Sequence, residues 1–218
     1  MDFTDFVILL GVLPISLYYL LRNKVIEELH FLSPFLWVVL IGSLYEYFIT
    51  GMIQADTKYW FWGNKILNFF SINYFFYGIS DKRYKNVYRY SNIVFLLFFI
   101  MLLLLYRHDS SALKANSYLL VLQTIAVYLY SGLWFFKLFQ DVKVTSLIHY
   151  PVFYVVSGII IYHSGVIVLY LLSDTILKHQ RELFLDYWML IVYLNLFFRT
   201  LLIFAIWKGQ TKYNTFFG

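Results

Sequence analysis

The chain has 218 residues, 61% of them hydrophobic and only 13% charged, against about 25% charged in an ordinary soluble domain. It contains no cysteine, which excludes disulfides, thiolate catalysis, cysteine-ligated iron–sulfur clusters and cysteine-based zinc sites. The formal net charge of +5 does not point to nucleic acid, because the basic residues lie mostly in loops and at the ends of apolar runs, where they set topology and meet anionic lipid.

Apolar runs near twenty residues long read as membrane helices. They cover 3–21, 34–53, 60–80, 90–106, 116–139, 149–173 and 185–207. The expected fold is therefore all-α: an integral membrane bundle of seven transmembrane helices, forming a single domain over 1–218. The first run follows an acidic start, Met1-Asp2-Phe3-Thr4-Asp5, which lacks the positive leader of a cleavable signal peptide. It reads as an uncleaved span kinked by Pro14. The second opens near Pro34, where a helix tolerates proline, and contains Glu46. The third begins in the cluster Tyr59-Trp60-Phe61-Trp62 and carries Asn68, Ser71 and Asn73. That cluster, like Tyr187-Trp188, is expected to anchor a span end at the bilayer interface.

The fourth run has no polar residue from Ile93 to Leu105 and is expected to face lipid on the outside of the bundle. Gln123, Thr124, Tyr128 and Ser131 lie in the fifth. The sixth starts near Pro151 and carries Tyr162 and His163, with Ser157-Gly158 and Ser164-Gly165 one heptad apart. Small residues so spaced allow close helix packing. The seventh contains Asn195 and Arg199.

Orientation follows from counting Lys and Arg by side. One side holds ten: Arg22, Lys24, Lys82, Arg83, Lys85, Arg89, Lys137, Lys143, Lys208 and Lys212. The other holds six: Lys58, Lys65, Arg107, Lys114, Lys178 and Arg181. The richer side is assigned to the cytoplasm, so the N-terminus is outside and the C-terminus cytoplasmic. Lys65 and Lys137 fall just inside their runs and are expected to snorkel outward. Glu27 and Glu28 are read as interfacial charges offsetting Arg22 and Lys24.

Glu46 and Arg199 are the charges stranded deepest in apolar runs. Each costs ~2.5–3.5 kcal/mol at a span centre on insertion scales, so such residues face a partner or a cavity. Glu46 lies roughly 18 Å into its span at 1.5 Å per residue, and two long side chains could bridge to each other if their helices are neighbours. Glu46 shares a face with Ser43 and Thr50, and Arg199 with Asn195. Three arrangements fit: a structural hydrogen-bond network, a polar cavity for a ligand or ion, or Arg199 snorkelling from a lipid-facing position. The candidate ligand-binding or polar-core residues are Glu46, Asn68, Gln123, His163, Asn195 and Arg199.

No catalytic or metal set is assembled by the sequence, and no cofactor is implied. The last span has no interior lysine for a retinal Schiff base. His149 and His163 are about 21 Å apart along one helix and cannot share a haem iron. The five histidines are scattered, unlike a zinc hydrolase. In His163-Ser164-Gly165 adjacent side chains point about 100° apart, so they do not form a nucleophile–base pair.

Several stretches carry a resemblance: Ser33-Pro34, Ser43-Leu44-Tyr45-Glu46, Pro151-Val152-Phe153-Tyr154, Tyr162-His163-Ser164-Gly165, Leu171-Leu172-Ser173-Asp174, Leu194-Asn195 and Ala205-Ile206-Trp207-Lys208. The chain resembles a group of uncharacterised heptahelical membrane proteins of Bacteroidota, often encoded near sensor histidine kinases or response regulators. The resemblance implies a bacterial inner-membrane location and a signalling role by association. The expectation is a non-enzymatic sensory or accessory module, with the lipid bilayer, a sensor histidine kinase or other signalling protein, and a small or lipidic ligand as partners. The rivals are a small ion-coupled transporter using Glu46 and His163, and a lipid-modifying membrane enzyme.

Overall fold

A computed structural model describes residues 3–48, 58–106, 113–140, 147–179 and 181–210. Eight α-helices follow one another: α1 (Phe3–Leu10), α2 (Val12–Leu21), α3 (Ser33–Tyr45), α4 (Lys58–Ile79), α5 (Lys85–Leu105), α6 (Leu113–Gln140), α7 (Pro151–His179) and α8 (Arg181–Lys208). Among the described residues there is no strand, only an isolated bridge between Val25 and Gln210. Each of the seven apolar runs is helical where described, the first one broken into α1 and α2. The second run continues past α3 as a wider π turn over residues 46–48; its remainder, with Thr50, lies outside the described residues.

Five helical stretches are long and apolar enough to cross a membrane: Glu27–Phe48, Lys82–Leu105, Lys114–Gln140, Pro151–Ser173 and Asp186–Lys208. The apolar stretch Asp5–Leu21 is shorter. The third run, α4, is helical but more polar, with Asn64, Lys65, Asn68 and Asn73 along its length.

The break at Gly11 has a local cause. Pro14 has no N–H to donate to the Leu10 carbonyl one turn earlier, so the helical ladder is interrupted there. The Gly11 N–H instead bonds the Ile8 carbonyl at 3.0 Å, a tighter turn. Pro34, by contrast, sits in the first turn of α3 and leaves the helix intact.

The helices pack as a ring: α2 on α3, α3 on α4, α4 on α6, α6 on α7, α7 on α8, and α8 back on α2. Helix α5 sits outside it, against α4 and α6. Its residues Ile93, Leu97, Ile100 and Leu104 are exposed, in keeping with a lipid-facing position. The most extensive interface joins α7 and α8. A Cβ on Gly158 would stand 3.1 Å from Phe198, and one on Gly165 only 2.6 Å from Leu194. The two glycines are thus sockets for α8 side chains, which is why small residues recur there.

Aromatic packing fills much of the core. The Phe69 and Phe95 rings stack at 3.7 Å, joining α4 to α5. Trp62, expected as an interface anchor, is instead buried against Phe99 with ring centroids 5.5 Å apart. Its place several residues inside α4 explains the difference.

The segments after α2, α4, α6 and α8 gather at one end. The Ile26 N–H donates to the Gly209 carbonyl at 3.0 Å, and Lys208 Nζ donates to the Ile148 carbonyl. Asp81 lies within electrostatic range of Lys137. Asp81 also accepts the Arg83 N–H at 3.1 Å, and that bond holds its carboxyl below the ordinary carboxylate range. Arg83–Asp81 is the one ion pair among the described residues, 3.5 Å long and exposed. Glu27 and Glu28 form no ion pair with Arg22 or Lys24 among the described residues, and Glu28 lies within electrostatic range of Tyr150. This end of the bundle carries the described residues of the ten-member basic set.

Candidate functional site

The centre of the candidate site is Arg199, 6% exposed on α8. Its Nη1 donates to the Val7 carbonyl and, at 3.2 Å, to that of Ile8. Its Nη2 donates to Ser43 Oγ at 3.1 Å. The Val7 carbonyl loses its regular helical partner at the Gly11 break, because the Gly11 N–H turns to Ile8 instead; the Ile8 carbonyl accepts from both the Gly11 N–H and Arg199. The guanidinium thus caps a broken helix from the side, with a planar fork of donors that suits two acceptors at once. Gly11 makes the approach feasible: a Cβ there would stand 2.0 Å from Ser43 Oγ and 3.1 Å from Arg199 Cζ. Ser43 is positioned by its own donation to the Val39 carbonyl at 2.9 Å.

Glu46 is near but not paired. Among the described residues no ion pair joins it to Arg199 within 4.0 Å, although each lies in electrostatic range of the other. Of the arrangements the depths allowed, Arg199 takes bonds to backbone carbonyls rather than a direct bridge to Glu46, and backbone acceptors leave no trace in side-chain identities. Tyr162 links the neighbourhood. It lies in range of both charges, its hydroxyl meets the Asn195 side chain, and its ring stacks on Phe198 at 5.2 Å. Asn195 also donates to the Ile191 carbonyl at 3.0 Å. Glu46, Asn195 and Arg199 are therefore brought together, with Ser43, which the sequence placed on the Glu46 face, and Tyr162, one of the polar residues of the sixth run.

His163 faces elsewhere. It is 3% exposed, its Nδ1 is buried without a hydrogen-bond partner, and the charge in its range is Lys65. Lys65 does not snorkel outward: its Nζ lies 4.6 Å from the centre of the Tyr170 ring on α7, a cation–π contact that substitutes for water. Ser117 on α6 donates to the Tyr170 carbonyl at 2.8 Å. Tyr170 also lies in range of Tyr162 and Glu46, so the two polar groups adjoin along α7.

Asn68 bonds within its own helix and to neither group: its side chain donates to the Asn64 carbonyl at 2.9 Å and to Asn64 Oδ1 at 2.8 Å. Gln123 is buried on α6.

A third network joins α4, α5 and α6. Asn73 donates to the Tyr88 carbonyl at 3.1 Å, Ser91 Oγ at 3.0 Å and Tyr130 Oη at 2.8 Å. Ser91 also bonds Tyr130 Oη, and Ser80 bonds the Tyr88 hydroxyl. Every member finds a polar partner, as apolar surroundings demand. Tyr88 and Tyr130 were not singled out by sequence, since 21 tyrosines offer no way to separate buried hydroxyls from interfacial ones. No group of three or more metal-ligating side chains occurs among the described residues.

Compared with known protein families, with curated proteins and with solved structures, the chain matches none.

Proposed function

We propose that this chain is a seven-span integral membrane protein of the bacterial inner membrane, N-terminus outside and C-terminus cytoplasmic. In this reading it serves as a non-enzymatic sensory or accessory module for a signalling partner such as a sensor histidine kinase. The observation that carries the proposal is the Arg199 cap. One side chain on the last helix holds a broken first helix and α3 together deep in an apolar bundle. Glu46 stands nearby as an alternative acceptor. A ligand that drew the guanidinium from the Val7 and Ile8 carbonyls toward Glu46 would shift α8 against α1 and α2. The far end of α8 is tied to the loop after α2 through Ile26 and Gly209, so the shift reaches the basic end of the bundle. Lys82, Arg83 and Lys85 there form the contact surface for an acidic face of the partner.

The test is a crosslinked pull-down from native membranes with mass spectrometry. The expected result is specific recovery of a histidine kinase or another signalling protein, lost when Lys82, Arg83 and Lys85 are changed to Gln. Recovery of this chain alone contradicts the reading. A second reading, a proton-coupled carrier, is favoured by one observation, the buried and unpartnered Nδ1 of His163. It predicts pH-dependent flux in proteoliposomes that disappears in Glu46→Gln.

A further inference from the structure

A cleft of about 520 Å³ opens where α2 ends and α3 begins, far along the chain from Arg199, lined by Tyr18, Arg22, Asn23, Val25, His30, Ser33, Pro34 and Tyr74. Its polar lining offers several donors and no charged acceptor. Arg22 offers a guanidinium, Asn23 an amide and Ser33 a hydroxyl. The Tyr18 hydroxyl and His30 Nδ1 are 2.9 Å apart. Between them a neutral histidine and a tyrosine hold two protons, and their mutual bond uses one. In either tautomer a donor is left over for a third group.

No carboxylate lines the cleft. The nearest acids in sequence turn aside: Glu28 lies in range of Tyr150, and Glu27 is exposed outside the cleft. A concave site with one cation, several donors and no acid is suited to a phosphate oxyanion. What borders it is apolar and aromatic. Trp37 lies one turn beyond Ser33 and Pro34 on the same helix face. It is 44% exposed and donates to Tyr19 Oη at 3.0 Å. A polar cleft at the helix ends, one helical turn from an exposed indole, matches the two halves of a phospholipid.

We infer that this cleft binds the phosphate headgroup of an anionic phospholipid, with Arg22 as its counter-ion, the Tyr18–His30 pair and Ser33 as donors, and the acyl chains lying along Trp37. The inference rests on the membrane location and not on the signalling role, so either can fail alone.

The test is native mass spectrometry of the full-length protein, released from detergent after titration with phosphatidylglycerol or phosphatidylcholine. The expected result is preferential retention of phosphatidylglycerol, reduced by about tenfold in Arg22→Gln, the loss expected of one charge-assisted contact. Lys24→Gln, a neighbouring exposed cation outside the cleft, retains the lipid, and excess inorganic phosphate does not displace it. Three results overturn the inference: unchanged retention in Arg22→Gln, an equal loss in Lys24→Gln, which marks diffuse charge attraction, or displacement by inorganic phosphate, which marks a free-anion site.

Discussion

At the scale of single residues, Arg199 shows how a costly charge becomes structural. Its guanidinium satisfies the Val7 carbonyl, whose helical N–H turns to Ile8 at the Gly11 break, and gives the Ile8 carbonyl a second donor; a carbonyl left unsatisfied among apolar groups costs about 1–3 kcal/mol. Arg199→Lys keeps the charge but supplies a single ammonium that cannot reach Val7, Ile8 and Ser43 together. It is expected to lower stability by about 1–3 kcal/mol. Ser43→Ala should cost less, because one acceptor is lost and the two carbonyls stay capped. Thermal unfolding of the detergent-purified variants checks both, and an Arg199→Lys midpoint equal to the wild type would remove the cap from the account. The sequence marked Arg199 and Glu46 by depth and left open whether they pair. Its partner turned out to be backbone, and the only sign of that was Pro14, whose missing N–H places a break one turn upstream.

At the scale of elements, apolar run length placed a helix in each of the seven runs, though not the split of the first into α1 and α2, and the fourth run, without polar residues, lies outside the ring as expected. The small residues of α7 also carried their meaning. Gly165 accepts Leu194 so closely that a larger side chain must displace α8. Gly165→Leu is expected to destabilise by about 1–3 kcal/mol through overpacking, and to weaken the Tyr162–Asn195 contact one turn away. A fall in unfolding temperature with increased hydrogen exchange in α8 would bear this out. An unchanged α8 would mean that the interface is looser than its geometry suggests. Lys65 and Trp62 were harder to read. Both sit near a run's end in sequence yet point inward, because α4 enters the bundle between α3, α5 and α6, and neighbours of that kind cannot be seen from one segment.

At the scale of the whole molecule, the ring of helices with α5 outside brings four chain segments to one basic end. The pairing of the loop after α2 with the end of α8 ties the second turn of the chain to its last helix. That closure gives a displacement at Arg199 a route to the basic end. The same end carries the donor-lined cleft, so lipid contact and partner contact would share one face of the protein. None of this was legible from composition, since it depends on which helices are neighbours and the chain has no internal repeat to reveal them.

The central claim is that this bundle spans a membrane with its basic end in the cytoplasm. The absence of cysteine makes single-cysteine accessibility a clean measurement. Asp5→Cys and Lys114→Cys should react with a membrane-impermeant maleimide on intact spheroplasts, and Lys82→Cys and Lys137→Cys only after permeabilisation. Labelling of Asp5→Cys and Lys82→Cys from the same side would contradict it.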